Sequence, residues 1–151
     1  MPQTCIINAH PDPSPERFVA ALCHAAEDGA REAGHAVSRI DIGALDVPLL
    51  DSAAEFETPP PEPILSEREK IAAADHLIIG FPLWLGSLPA KSRAFFEQCA
   101  RAGFFLATTE DNKGWPKQMM KGKSARIIVT MGMPGPVYSL VMDQGALKAL
   151  E

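Results

Sequence analysis

The sequence lacks the features that define several classes of protein. Its three cysteines are widely spaced and include no Cys-x-x-Cys pair, so neither a disulfide framework nor a cysteine-rich metal centre is expected. Unpaired thiols fit a reducing compartment, and we predict a cytoplasmic protein whose thiols are buried. No Gly-x-Ser-x-Gly or His-Glu-x-x-His motif is present, so nothing favours a hydrolase.

Long apolar runs and basic charge are also missing. No apolar stretch approaches the roughly 20 residues that cross a bilayer, and the N-terminus has neither a basic segment nor a small-residue cleavage site. We therefore expect no integral membrane segment and no signal peptide. Lys and Arg total 14 against 19 Asp and Glu, a net charge of −5. A domain this acidic has no general field for nucleic acid, so no nucleic-acid partner is expected.

What is present is the composition of one globular domain. The chain has 151 residues, of which 46% are hydrophobic and 22% charged, and we predict that residues 1–151 form a single domain. Proline is the unusual count, at 14. The prolines cluster in segments that punctuate the pattern of strands and helices, including a long acidic connection over residues 43–63 that is either functional or mobile.

Strands and helices alternate along the predicted structure. Apolar or alternating runs predict four strands, at residues 4–9, 36–42, 76–80 and 124–131. Helices are predicted in four places: after an N-cap at Ser14, with Phe18, Leu22, Ala25 and Ala26 on one face; after a capping box from Ser66 to Glu69; over 90–100; and from Val137 onward. Strands that read as continuous apolar runs are typical of a parallel sheet covered on both faces. The pattern predicts an α/β fold with a doubly wound parallel sheet, of which the flavodoxin-like strand order is one arrangement.

In such a sheet, ligands bind beyond the carboxyl ends of the strands. In the order 2-1-3-4-5, the first, third and fourth strands are neighbours, so the segments 10–18, 81–89 and 130–138 are expected to share one crevice. In the first segment, the amide groups of a helix N-terminus, with His10, Ser14 and Arg17 as further donors, suit a phosphate group. The alternative is a stiff capped turn. The segment is neither a Gly-x-Gly-x-x-Gly loop nor a Walker A loop, and Asp12 beside His10 gives too few ligands to predict a metal.

The other two segments suit a flat ring. The second is apolar where loops are usually polar, and Trp84 can contact a planar ligand. The alternative is that Trp84 packs the start of the following helix. The third segment contains Tyr138, the one tyrosine of the chain, whose hydroxyl can polarise a ring carbonyl. The alternative is an ordinary half-buried tyrosine.

Three stretches together resemble a known family. They are NAHPDPSPERFVAAL after the first strand, GFPLWLGSLPAKSRAFFEQ after the third and KGKSARIIVTMGMPGPVYSL around the fourth. In this order they resemble the flavodoxin-like-fold NAD(P)H:quinone oxidoreductases, the DT-diaphorase-like family. The resemblance spans nearly the whole chain, and its Pro-Leu-aromatic and Pro-Ala elements are the more specific part.

The resemblance implies a bound flavin, FMN or FAD, and a set of residues around it. His10, Ser14, Arg17 and Phe18 match the segment that holds the phosphate and ribityl chain. Pro82, Leu83, Trp84 and Leu85 match the stretch along the isoalloxazine ring, and Thr130, Met131, Gly132 and Met133 match the turn beside its pyrimidine edge. Tyr138 matches the active-site tyrosine. The family also implies a homodimer and a ping-pong reaction in which NAD(P)H delivers hydride to flavin N5 and a quinone-like acceptor then takes it.

Some positions depart from the family pattern. Gln144 stands where the family has a second catalytic residue, a histidine, and glutamine cannot relay a proton as histidine does. Leu85 stands where relatives often carry an aromatic residue. Leu106 and Thr108 stand where some relatives place aromatic residues that shape the acceptor pocket. The family continues beyond residue 151, so its last strand and helix are expected to be missing here, which leaves an open sheet edge.

Two other interpretations stay open. Some relatives are flavin-binding ancillary subunits of a potassium-efflux antiporter, and the 43–63 connection is a candidate docking surface for such a partner. The chain is alternatively a flavodoxin-like fold that has lost its flavin.

Overall fold

The computed structural model describes residues 1–107 and 115–141. The elements, in chain order, are β1 (Gln3–Asn8), α1 (Phe18–Glu32), β2 (Ala36–Asp41), α2 (Ala53–Phe56), α3 (Ile64–Ala73), β3 (His76–Pro82), α4 (Ala90–Ala100), β4 (Leu106–Ala107), β5 (Lys117–Gln118), β6 (Ser124–Thr130) and α5 (Gly135–Val141). Short 3-10 turns follow β2 and α4. Among these residues, no helix is long and apolar enough to cross a membrane.

The main sheet has four parallel strands in the order β2-β1-β3-β6. This confirms the predicted flavodoxin-like order for the first four long strands and places β1, β3 and β6 side by side. β4 and β5 form a separate antiparallel pair of two residues each. The carboxyl ends of all four parallel strands lie at one edge of the sheet, which is the edge predicted to hold a ligand.

Both faces of the sheet are buried at its central strands β1 and β3, as their apolar runs predict, whereas β6, also expected to be buried, has only exposed and partly exposed residues. Ile7 and Ile79 belong to the larger core cluster, together with Phe95 of α4. Their sequence neighbours Ile6 and Ile78 belong to a second cluster, which includes Val19 and Cys23 of α1. Successive strand residues point to opposite faces, so adjacent buried isoleucines require a cover on each side.

The predicted start of the first helix is wrong. α1 begins at Phe18, and its N-cap residue is Arg17 rather than Ser14. The buried positions of α1 are Val19, Ala20, Cys23 and Glu27. Of the four residues expected on that face, Ala26 is half-buried and packs against the core, Leu22 is half-buried, and Phe18 and Ala25 are exposed. Residues 9–17 form a loop that ends in a turn over residues 14–17, where the Arg17 amide donates to the Ser14 carbonyl.

The predicted capping box is also wrong. α3 begins at Ile64, so Ser66 lies inside the helix and its hydroxyl donates to a carboxylate oxygen of Glu62 at 2.6 Å. The predicted helix over 90–100 is confirmed by α4.

The 43–63 connection is held by hydrogen bonds from two residues of α4 and one residue of the 3-10 turn that follows it. Lys91 donates to the Gly43 carbonyl at 2.7 Å, and Gln98 donates to the Pro48 carbonyl at 3.1 Å. Arg101, only 7% exposed, donates to the carbonyl and hydroxyl oxygens of Thr58. These contacts connect the loop that follows β2 to the helix that begins at the carboxyl edge.

Candidate functional site

The three predicted segments meet at the carboxyl edge of the sheet. The Leu83 amide, just after β3, donates to the carbonyl of Thr130 at the end of β6, with an N–O distance of 2.8 Å. The His10 ring, after β1, meets the Trp84 ring edge-on, with centroids 5.8 Å apart and planes at 80°. The loops after β1, β3 and β6 therefore lie beside one another, and we call the surface that they form at this edge the crevice.

A ladder of side-chain hydrogen bonds organises the loop after β1. Each of four alternate side chains accepts from the backbone amide two residues later, at 2.9–3.4 Å; these are Asn8, His10, Asp12 and Ser14. A proline follows each of the last three, at Pro11, Pro13 and Pro15, and proline has no amide hydrogen and a fixed φ. We call this set of contacts over residues 8–16 the loop ladder.

The loop ladder changes which groups can donate to a ligand. The amides of residues 10, 12, 14 and 16 already donate to side chains of the ladder. These loop amides are therefore not free to bind a phosphate. The Asp12 amide donates to Nδ1 of His10 at 3.0 Å, so a neutral His10 ring carries its proton on Nε2. The remaining donors are this Nε2 group, the Ser14 hydroxyl and the groups at the start of α1.

Arg17 provides positive charge at the start of α1. Its Nε donates to Asp12 at 2.8 Å, its second guanidinium contact to the same carboxylate is 2.5 Å, and its side chain is 52% exposed. The Ser14 amide and then Arg17 lower the pKa of Asp12. The first amides of a helix have no intrahelical partners, and among the described residues no side chain caps those of α1. The positive end of the helix dipole also lies at this point.

The loop after β3 forms the apolar wall. Trp84 and Ser87 exchange two backbone hydrogen bonds of 3.0 Å, and Leu85 and Gly86 between them have φ of 50° and 78°, the signs of a type I′ turn. The turn leaves Trp84 half exposed and directs Leu85 fully into solvent. Pro82 is buried. Phe18, 69% exposed, adds an apolar side chain at the start of α1.

The segment after β6 is more enclosed than expected. Met131 and Met133 are half-buried and pack against the larger core cluster, whereas Gly132 between them is exposed. Tyr138 is only 3% exposed, and within the described parts of the chain its buried hydroxyl has no hydrogen-bond partner. An unsatisfied buried hydroxyl costs about 1–3 kcal/mol. The second predicted catalytic position, Gln144, and the predicted acceptor-pocket residue Thr108 lie outside the described residues.

A network of charged side chains is hydrogen-bonded to Asn8, the first residue of the loop ladder. Asn8 donates to Asp41 at 3.0 Å, and Arg39 bridges Asp41 and Glu27 with contacts of 2.9 and 3.0 Å. Burial raises the pKa of Asp41, but hydrogen bonds from Arg39 and Asn8 outweigh it and leave the pKa lowered. The network lines a cavity of about 530 Å³ beside α1.

Sequence reasoning missed several supporting residues. Asp12 was considered only as a metal ligand; the structure makes it the partner of Arg17, and no group of three or more potential metal ligands occurs among residues 1–107 and 115–141. Asn8 and Ser92 were not singled out, although Ser92 donates to the Ala9 carbonyl at 2.5 Å. The alternation of polar residues with prolines over 10–15 was the available signal for the ladder.

Comparisons with known proteins agree with this architecture. The sequence model of the Flavodoxin_2 family, described as a flavodoxin-like fold, matches residues 2–150. NAD(P)H dehydrogenase [quinone] 1 of Rattus norvegicus is 33% identical over 88 residues, or 58% of this chain and 31% of that protein. FMN-dependent NADH:quinone oxidoreductase 1 of Jannaschia sp. (strain CCS1) is 38% identical over 63 residues, or 42% of this chain and 31% of that protein.

A solved structure shows the same fold. The NAD(P)H:quinone oxidoreductase from Methanothermobacter marburgensis superposes with a TM-score of 0.76 at 22% identity, covering 95% of this chain and 74% of that one. The matches to the two curated relatives above span about a third of their length. With the family match over residues 2–150 and the β2-β1-β3-β6 sheet, the chain belongs to the Flavodoxin_2 family of flavodoxin-like proteins.

Proposed function

We propose that the chain is the flavin-binding domain of an FMN-dependent NAD(P)H:quinone oxidoreductase. The observation that carries the proposal is the crevice itself, which joins the uncapped start of α1, beside the Arg17–Asp12 ion pair, to an apolar, tryptophan-bearing wall. A phosphorylated flavin has two parts that match them: an anionic phosphate for the start of α1 and a planar ring for the apolar wall. The names of the curated relatives support a quinone as acceptor, and FMN rather than FAD as cofactor.

The residues of the crevice divide by chemistry. Arg17 would neutralise the phosphate, with Ser14 and Nε2 of His10 as further donors. Leu83 and Trp84 would cover the ring and exclude water from it. The turn Thr130–Met133 would face the pyrimidine edge, where backbone amides stabilise negative charge.

The hydroxyl group of Tyr138 gives a second observation that bears on whether the site fits a flavin. A buried hydroxyl without a partner among the described residues is a group that a ring carbonyl of a flavin would satisfy. The residues therefore fit the cofactor both by charge and by this unmet hydrogen bond. Catalytic roles for Tyr138 and Gln144 are part of the proposal.

The chain's own residues supply orientation and charge, since FMN, when bound, supplies the two-electron chemistry between NADH or NADPH and a quinone. Trp84 and Leu83 would fix the plane in which the ring lies. Tyr138 would hold a proton at its hydroxyl oxygen and donate a hydrogen bond when a ring carbonyl gains negative charge. Arg17 would keep the anionic end fixed while the substrates exchange.

We also propose that the protein is a cytoplasmic homodimer whose subunits meet near the crevice. Phe18, Trp84, Leu85 and Leu140 expose large apolar side chains around this edge, with exposures of 50% or more. Contiguous exposed apolar surface is typical of an interface. Light scattering after size exclusion should give twice the monomer mass, and a monomer at micromolar concentration would contradict this part of the proposal.

The experiment for the activity uses purified protein incubated with FMN or FAD and then desalted. We expect the FMN sample to retain flavin absorbance, to bleach with NADH or NADPH under anaerobic conditions and to regain colour with a benzoquinone. Retained FMN that neither nucleotide bleaches would contradict the oxidoreductase proposal. Stronger retention of FAD would contradict the choice of cofactor.

A further inference from the structure

Gly43 lies under the loop after β1 although it belongs to the turn after β2. A Cβ atom placed on Gly43 would lie 2.8 Å from the Pro13 nitrogen, 2.9 Å from the His10 oxygen and 3.0 Å from the Asp12 carbonyl carbon. All three are main-chain atoms, so no side-chain rotation can relieve the contact. Any residue larger than glycine at this position must displace the backbone of the loop.

The loop cannot absorb such a displacement locally. Three prolines fix alternate φ angles, and the loop ladder ties each intervening amide to the side chain two residues before it. Asp12 is in turn paired with Arg17. A displacement of the backbone at residues 10–13 would therefore also displace Arg17 and the start of α1.

The backbone at Gly43 is also held in place. Lys91, in the first turn of α4, donates to the Gly43 carbonyl at 2.7 Å. The next residue, Ser92, donates to the Ala9 carbonyl at 2.5 Å. The first turn of α4 thus binds both Gly43 and Ala9, at the beginning of the loop. The backbone at Gly43 cannot move away from the loop without loss of one of these hydrogen bonds.

We propose that Gly43 is a positioning residue for the phosphate end of the cofactor site. Its lack of a side chain lets the loop lie where Arg17 and the start of α1 can bind a flavin phosphate. Gly43 acts through the loop and touches no cofactor itself. The inference rests on the proposed function, and it adds a determinant from the turn after β2.

The test compares FMN with riboflavin, which has the same ring and no phosphate. Dissociation constants for both flavins are measured by flavin fluorescence in the wild type, Gly43→Ala and Gly29→Ala. We expect Gly43→Ala to weaken FMN binding about tenfold, the equivalent of one hydrogen bond to a charged group, and to leave riboflavin binding nearly unchanged. Gly29→Ala is the matched control, because a Cβ at Gly29 meets nothing within 4 Å. This variant should keep the wild-type ratio of FMN affinity to riboflavin affinity.

The ratio of the two affinities separates positioning from general damage. A purely structural role for Gly43 would lower the melting temperature and weaken both flavins alike, and an unchanged FMN-to-riboflavin ratio would overturn the inference. If Gly43→Ala does not fold, Lys91→Met, which removes the donor to the Gly43 carbonyl, must lower the same ratio or the inference is wrong. A wild-type protein that binds neither flavin would instead overturn the proposed function, and this inference with it.

Discussion

Ser92 joins α4 to the loop after β1, and we predict that Ser92→Ala destabilises the protein measurably. The hydroxyl donates to the Ala9 carbonyl at 2.5 Å, and both residues are 0% exposed. Deleting a buried donor leaves its acceptor desolvated without compensation, which costs about 1–3 kcal/mol. The better helix propensity of alanine returns at most about 0.5 kcal/mol. For a domain of this size, each kcal/mol corresponds to roughly 2–4 °C in melting temperature.

The assay is urea unfolding of the wild type and the variant, followed by far-UV circular dichroism. Ser66→Ala is the matched control, because its hydroxyl bonds to Glu62 on the exposed surface of α3, and it should change stability by no more than about 0.5 kcal/mol. Equal midpoints for Ser92→Ala and Ser66→Ala would refute the reasoning. That result would mean that the short contact between α4 and the loop contributes nothing to holding them together.

Three further predictions concern buried or charged groups. Tyr138→Phe should raise the melting temperature of the flavin-free protein, because it removes an unsatisfied hydroxyl, yet lower quinone-reductase turnover more than FMN affinity; unchanged turnover would remove the catalytic role. Burial raises the pKa of Cys23 to about 11 and of Cys99 to about 12, so a thiol reagent at neutral pH should react with these thiols only after unfolding, and rapid labelling of the folded protein would contradict their burial. The pKa of Asp41 is lowered by Arg39, despite burial, so its stabilising contribution is present above about pH 4 and is lost as pH falls through the folded-state pKa; the gap in stability between wild type and Asp41→Asn should close in acid, and a constant gap would exclude this linkage.

The parallel sheet could be predicted because its central strands β1 and β3 are buried on both faces. Runs such as Ile6–Ile7 and Ile78–Ile79 place apolar side chains on opposite sides of a strand, and parallel sheets with both faces covered follow from that pattern. The same reasoning placed the three segments of the crevice at one edge. It needed only the order of the strands, which right-handed connections restrict to few choices.

The start of α1 could not be predicted from its local signals. Ser14 followed by Pro15 has the pattern of a helix N-terminus, but Ser14 accepts from the Glu16 amide and belongs to the loop ladder instead. Side-chain contacts with the backbone two residues later compete with helix formation. The prolines at alternate positions decide the competition here, because each one removes an amide donor.

Contacts between distant residues were the other gap. The approach of Gly43 to the loop, the bond from Ser92 to Ala9 and the enclosure of Tyr138 join residues that are 30 or more positions apart or depend on how a helix packs. No sequence spacing encodes such distances. These are the residues that support the crevice rather than line it.

The measurement that tests the central claim most directly is FMN affinity in a pair of tryptophan variants. The chain has two tryptophans: Trp84 lies in the crevice, whereas Trp115, 94% exposed, lies beside the β4–β5 pair. We expect Trp84→Ala to weaken FMN binding about tenfold or more, the cost of losing an aromatic stacking contact of about 1–3 kcal/mol. Trp115→Ala should bind FMN like the wild type. Equal affinities in all three proteins, or a loss confined to Trp115→Ala, would show that the flavin does not bind in the crevice between the loops after β1, β3 and β6.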